Sequence, residues 1–325
     1  MRLNVIGKTV SIVCLATAGV WGAGDAGTAL LWSDPGQGGR RDLFYGSGGK
    51  DHEPHGPFTF VKEDLDGTNP KFVVRDAKGS KWKVKLGLEA RPETVASRLV
   101  WAVGYYTADD YFLRDMRIAG MPAKLHRGQK LIGPGGAVNN VRLKREPDGE
   151  KKLDAWQWDK DPFTGSREWN GLRVMMAVVN NWDLKDENNA VYRADSQRIF
   201  MVSDLGATFG SAGRTWPRDR AKDNLNSFDR SKFIRKISAE TVDFQTPARP
   251  TFVYLVNPKE YFRRVHLEHL GKNVPRADAK WIGQLLAGLS ADQLRDAFRA
   301  GGYSPAETAA FLKVLQTRIS ELTDL

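Results

Sequence analysis

The stretch that most limits what this chain can fold into is "NNWDLKDENNAVY", Asn180 to Tyr192. Before it, "EWNGLRVMMAVVNNW" carries a helical apolar pattern; after it, "RIFMVSD" reads as a strand that ends on Asp204. The charged core "DLKDEN" is therefore a loop tied at one end to a helix and followed closely by a strand. Asp183, Lys185 and Asn188 stand in it at fixed spacing.

Those residue types suit phosphoryl transfer. That reaction needs a carboxylate near the attacking hydroxyl, a cation near the moving phosphate, and oxygen ligands for a divalent ion on the phosphates. Asp183, Lys185 two residues on and Asn188 five residues on supply that set. Sixteen residues beyond Asn188, "SDLGATFG" places Asp204 at a strand end before a flexible turn, a suitable post for a second metal ligand.

Upstream, "KFVVRD" and "KWKVKL" alternate about "AKGS" and read as a β-hairpin. Trp82, Val84 and Leu86 share one face of the second run, and Lys81, Lys83 and Lys85 share the other. A helix follows over "RPETVASRLVWAVGYY". Pro92 suits its first turn, and Val95, Leu99 and Val103 recur every four residues. Glu93 lies in that first turn, where a carboxylate complements the helix dipole and can also hold Lys85.

Taken together, these segments resemble the protein-kinase-like superfamily. "WDLKDEN" is similar to its catalytic loop, "DLG" to its metal-binding Asp-Phe-Gly, "KVK" to its third-strand lysine, and "PET" to the glutamate of its first large helix. All four occur in the family's order over roughly residues 57 to 210. At about 5% per residue type, the five matching letters of "DLKDEN" arise by chance about once in a million starts or rarer. The resemblance implies a two-lobed α+β fold, with a small antiparallel β-rich N-lobe over 57–125 and a mostly helical C-lobe over 126–325. It implies ATP with Mg²⁺ or Mn²⁺ as cofactor. Lys85 would position the α/β-phosphates and Glu93 would orient Lys85. Asp183 and Lys185 would be catalytic, and Asn188 and Asp204 would ligate the metal. Two assignments stay open: Lys83 shares the face of Lys85, and Asn189 replaces Asn188 if the loop bulges by one residue.

Departures from the family pattern narrow the branch. Asn181-Trp182 stands where the family has His-Arg, so regulation through an activation-loop phosphate is not expected. No G-x-G-x-x-G precedes "KFVVRD", and no Ala-Pro-Glu follows "DLG". These absences point to atypical branches such as HipA-type, phosphoinositide and secretory-pathway kinases. An alternative on the same fold is a catalytically inactive binding protein of the cell envelope. A structural protein of unrelated fold is the remaining rival.

The N-terminus points to export. Arg2 and Lys8 precede "VSIVCLATAGVW" and then small residues, which reads as a secretory signal peptide over 1–24, with an uncleaved anchor as the alternative. A secreted or periplasmic location is expected, with no membrane span after the leader. Cys14, the single cysteine, lies inside it, so no disulfide or thiolate chemistry is expected in the mature chain. Residues 25–56 are rich in glycine and polar groups and read as a loose arm; "GSGGKD" lacks the pattern of a phosphate loop.

A formal net charge of +10 favours anionic partners. Its densest run, 214–236, is a possible seat for an anionic acceptor beside the nucleotide site, although interspersed Asp219, Asp223 and Asp229 fit a solvated loop equally well. No nucleic-acid motif accompanies it. His266 and His269 in "HLEHL" share a helix face, but the local sequence offers no third metal ligand, so a solvated helix surface is expected there.

Overall fold

The computed structural model describes residues 27–36, 41–67, 69–146, 151–211, 222–248 and 251–325. The segment 1–24, expected to be a signal peptide, lies outside the described residues with its Cys14, as do Arg214, Arg218 and Arg220 of the basic run. In chain order, β1 (Thr28–Leu30) precedes a closed barrel of β2 (Phe58–Asp64), β3 (Lys71–Arg75), β4 (Lys81–Lys85), β5 (Asp110–Ala119) and β6 (Ala137–Glu146). Helix α1 (Ala90–Ala102) lies between β4 and β5.

The barrel order is β2-β3-β4-β6-β5. Five alternating strands cannot close antiparallel throughout, and β2 meets β5 in parallel at Phe58 and Ile118. The expected hairpin is β3–β4, with Val74 opposite Trp82 and Phe72 opposite Val84. These apolar side chains fill the barrel with Leu143 and Val141, and the Trp82 indole N–H donates to buried Asp76 at 2.8 Å. The lysines of β4 therefore lie on the face away from the barrel core.

The β-rich lobe extends beyond residue 125. Strand β6 pairs with both β4 and β5, so the barrel is complete only at Glu146. The exposed pair Asn139-Asn140 interrupts the alternating pattern inside β6, which is why its first half reads as a loop in sequence.

The C-lobe holds β7 (Lys151–Asp154), α2 (Arg167–Val178), β8 (Asn189–Ala194), β9 (Gln197–Val202), α3 (Leu225–Arg230), β10 (Ile234–Ile237) and β11 (Thr241–Phe244). It continues with α4 (Thr251–Val256), α5 (Pro258–Glu268), β12 (Val274–Pro275), α6 (Arg276–Ala287), α7 (Ala291–Ala300) and α8 (Pro305–Thr323). Two small sheets, β1-β9-β8-β7 and β10-β11-β12, flank the helices. The chain thus has a two-lobed α+β architecture, β-rich first and mostly helical last. Helices α7 and α8 open on capping boxes, Ser290 with Gln293 and Ser304 with Glu307, a pattern the local sequence carries.

The described part of the glycine-rich arm is packed rather than loose. Strand β1 pairs in parallel with β9, Thr28 opposite Gln197. The Trp32 indole N–H donates to the Val103 carbonyl at 2.7 Å, and Leu31 and Leu43 are buried. Gly46, at φ 70°, sits against the Arg98 guanidinium, where a Cβ would come within 2.4 Å. Its few apolar residues, hidden among glycines in the sequence, carry this docking.

Candidate functional site

Lys85, the last residue of β4, is 3% exposed and meets three carboxylates. Its Nζ lies 2.8 Å from Glu93 Oε2, 2.9 Å from Asp204 Oδ1 and 3.0 Å from Glu89 Oε2. Glu93 comes from the first turn of α1, and Asp204 follows the end of β9. Three segments, the last more than a hundred residues along the chain, thus converge on one ammonium. Lys83 shares the strand face but is engaged elsewhere, 2.9 Å from Asp64 and 3.6 Å from Glu146.

Two members of the cluster have no counterpart in the sequence reading. Glu89, 6% exposed, accepts from Asn69 Nδ2 at 2.6 Å and pairs with Lys222, beyond the "DLG" turn. Arg142 of β6 pairs with Glu93 from the barrel side. The spacing of Lys85 and Glu89 was the available signal for the first; nothing local points to Arg142. Carboxylate oxygens of Glu89, Glu93 and Asp204 lie within 4.8 Å of one another, and the cations Lys85, Arg142 and Lys222 match them one for one.

The electrostatics follow from that crowding. Burial works to lower the Lys85 pKa, but Glu93 and then Asp204 override it, so the ammonium is held above its usual range. Burial would raise the Asp204 carboxyl; Lys85 outweighs it and holds Asp204 well below the usual carboxylate range. At Glu93 burial wins and raises the carboxyl, with Arg142 and Lys85 opposing.

The "DLKDEN" loop is built by hydrogen bonds. Asn180, at φ 59°, donates from Nδ2 to the Gly210 carbonyl at 2.6 Å and accepts the Trp182 indole N–H at 3.0 Å. Fully buried Asn181 accepts the Asp183 backbone N–H at 3.1 Å. The two asparagines that stand before the loop therefore brace it. Lys185 Nζ lies 3.0 Å from Asp183 Oδ1.

Asn188 donates from Nδ2 to the Asp183 carbonyl at 2.6 Å, which turns Oδ1 away from that carbonyl. Its own carbonyl accepts from the N–H and hydroxyl of Ser203, the neighbour of Asp204. Asn189 instead is buried and donates to the Trp156 carbonyl at 3.0 Å. All six residues singled out in the sequence thus fall into two adjoining groups: Lys85, Glu93 and Asp204 in one, Asp183, Lys185 and Asn188 in the other, joined through Ser203.

Lys71 is a further residue the sequence did not single out. It opens β3, half-buried, directly opposite Lys85 on one ladder and Asp64 on the other. It follows the turn 65–67, where a glycine-rich loop would lie in the family pattern. In the basic run, Arg230, Lys232, Arg235 and Lys236 are exposed, while Lys222 is held by Glu89.

No protein-family model matches the chain, and no curated protein matches it significantly. Among solved structures it is similar to a Helicobacter pylori proinflammatory kinase, CtkA, at 12% identity over 82% of this chain and 94% of that one, with a TM-score of 0.39. It is also similar to the Golgi casein kinase, at 10% identity over 83% of this chain and 73% of that one, TM-score 0.33. The same kinase with Mn/ADP bound gives 11% identity over the same shares, TM-score 0.35.

Proposed function

We propose that the chain is an atypical kinase that transfers the ATP γ-phosphate to a hydroxyl acceptor. The observation that carries this is the convergence of Lys85, Glu93 and Asp204 within 3 Å contacts, next to a braced loop bearing Asp183. A structural protein has no need of such a cluster, because taking three cations and three carboxylates out of water is costly even when the charges match.

The donor set suits a hard divalent cation. Asp204 keeps 38% of its side chain exposed, and Asn188 Oδ1 is turned free of the Asp183 carbonyl. Mg²⁺ or Mn²⁺ held by Asp204 and Asn188 would neutralise charge on the phosphate oxygens. Lys85 holds the α/β-phosphates, and Glu93, fixed by Arg142, keeps it aimed. Asp183 orients the acceptor hydroxyl and takes its proton as the new oxygen–phosphorus bond forms. The bond from the γ-phosphorus to its bridging oxygen breaks, and ADP leaves. Lys185 offsets charge on the transferred group.

The leader supports export, and the exposed cations from Arg230 to Lys236 support an anionic acceptor, whether protein, lipid or saccharide. The test is phosphate transfer and thermal unfolding with Mn²⁺-ATP. A metal-dependent upward shift is expected, absent in Asp204→Ala. Asp183→Ala keeps the shift and loses transfer by about 10²–10⁴-fold. A shift without transfer in the parent chain favours the inactive binding protein, and no shift at millimolar ATP removes the nucleotide reading.

A further inference from the structure

His266 and His269, at the end of α5, gain from the fold the partner that their own segment lacks. Asp159, in the loop between β7 and α2, sets one carboxylate oxygen 3.3 Å from His266 Nε2 and the other 2.7 Å from His269 Nε2. All three side chains are about half exposed, so the group is open to solvent and to ions.

The hydrogen bonding of His269 makes this more than a surface ion pair. Its Nδ1 is bonded to the His266 carbonyl, which can only accept, so Nδ1 carries a hydrogen. In the neutral ring Nε2 then presents a lone pair, and that lone pair faces a carboxylate. The contact is repulsive unless a cation sits on Nε2, either a second proton or a metal. A ring nitrogen tied to a backbone carbonyl, with the other nitrogen presented to a cation, is also how metal-binding histidines are oriented.

The supports are rigid. Asp159 follows buried Trp158, whose ring packs edge-on at 4.8 Å against buried Trp156. Trp156 is held by its indole N–H on the Met201 carbonyl and by Asn189 on its own carbonyl. On the other side, buried Arg173 of α2 donates to the carbonyls of His269, Leu270 and Lys272 at 2.9, 2.9 and 2.6 Å. Asp186, in the "DLKDEN" loop, adds a carboxylate within electrostatic reach of His266 and Asp159, and it accepts the Trp158 N–H.

We infer that His266 Nε2, His269 Nε2 and Asp159 form a divalent transition-metal site of the zinc class, tying the end of α5 to the loop between β7 and α2, against which Asp186 of the "DLKDEN" loop is bonded. Two imidazoles and one carboxylate with an open fourth position is a donor set that suits Zn²⁺. Tetrahedral zinc with bonds of about 2.0–2.1 Å separates its ligands by about 3.3 Å; the His266–Asp159 pair stands at 3.3 Å, and the 2.7 Å His269–Asp159 contact has to open slightly to admit the ion. The ring centroids stand 5.4 Å apart; the donor atoms of the three residues do not all lie within 4.8 Å of one another, so the exposed His266 side chain has to turn inward for the ion to bind.

The experiment is titration calorimetry of the leaderless chain with ZnCl₂, in millimolar Mg²⁺ to occupy Asp204. Cobalt is used in parallel as a spectroscopic probe, and circular dichroism confirms that each variant is folded. One equivalent of zinc at micromolar affinity or tighter is expected, with tetrahedral cobalt absorption. Affinity drops at least about 100-fold in His269→Ala and about tenfold in Asp159→Asn, and it is unchanged in Asp204→Ala. Zinc binding no tighter in the parent than in His269→Ala overturns the site and leaves a protonated His–Asp cluster. Loss in Asp204→Ala with retention in His269→Ala overturns it as well, since the ion then belongs to the nucleotide cleft.

Discussion

Lys71 stands opposite Lys85 across the β3–β4 ladder, half-buried, and burial pulls its pKa down while Asp64 opposes. On the proposed nucleotide reading, a side-chain ammonium at the start of β3 would contact the phosphates, a role that no G-x-G-x-x-G motif before "KFVVRD" is there to fill. Lys71→Ala should therefore weaken ATP and ADP about tenfold or more, the size of one charge-assisted contact, and leave adenosine unchanged. Calorimetry with the three ligands reads this directly; an equal loss for adenosine would show that Lys71 only supports the fold. The strand register also separates the lysines that sequence left open, because Lys85 faces Glu93 and Asp204 while Lys83 is held by Asp64. Asn188 and Asn189 separate in the same way, one towards Asp183 and the other towards buried Trp156.

At the level of elements, α1 belongs energetically to the C-lobe. Val95, Leu99 and Val103 sit in the large helical core, whereas the barrel fills itself with its own strands. The N-terminal turn of α1 is clamped as well. Arg91 pairs with Glu307 of α8 at 2.9 Å and lies 3.9 Å from the Tyr303 ring centroid, and Tyr303 donates to Asp223 at 2.5 Å. Glu93 is thereby set by packing, in a chain whose loop has Trp182, and not the arginine of the resembled pattern, directly before Asp183. Arg318 of α8, 2% exposed, donates to the Ala177 and Val178 carbonyls at the end of α2 and so fixes the start of the "DLKDEN" loop from below.

Glu307 gives this clamp a pH signature. Desolvation acts to raise its carboxyl, but the Ser304 N–H, Arg91 and the Ser304 hydroxyl together bring it down to about 2. A carboxyl lowered in the folded state binds fewer protons there than in the unfolded chain. Its contribution is complete above its ordinary value of 4.5 and is lost as pH falls towards about 2. With 44% of the side chain exposed, the contribution is below about 1 kcal/mol. Urea unfolding of Glu307→Gln should show reduced stability at pH 6 and a flatter dependence through that window. A variant with the parent's slope would assign the dependence to other carboxylates.

Across the whole molecule, the segment before the barrel acts as a strap. Strand β1 extends the β9-β8-β7 sheet of the C-lobe, Trp32 bonds to the end of α1, Gly46 packs on Arg98 of α1, and Tyr111 of the barrel donates to the Gly49 carbonyl. Burying each large apolar side chain contributes about 1.5–3 kcal/mol. A chain starting at Arg41 should therefore melt at least about 5 °C below one starting at Gly27. Equal melting temperatures would mean that the docked segment adds no stability.

Amino-acid order alone determined the features that span a few residues or one helical turn. The β3–β4 hairpin, the capped helices at Ser290 and Ser304, the "DLKDEN" loop and the strand that ends two residues before Asp204 all follow from local periodicity and spacing. Tertiary structure alone decided which distant charges share one space: Arg142 on Glu93, Lys222 on Glu89, Asp204 on Lys85, and Asp159 between two histidines. The physical reason is that strand register and helix packing join residues scores to more than a hundred positions apart. A pattern read over one turn or one strand carries no record of that distance.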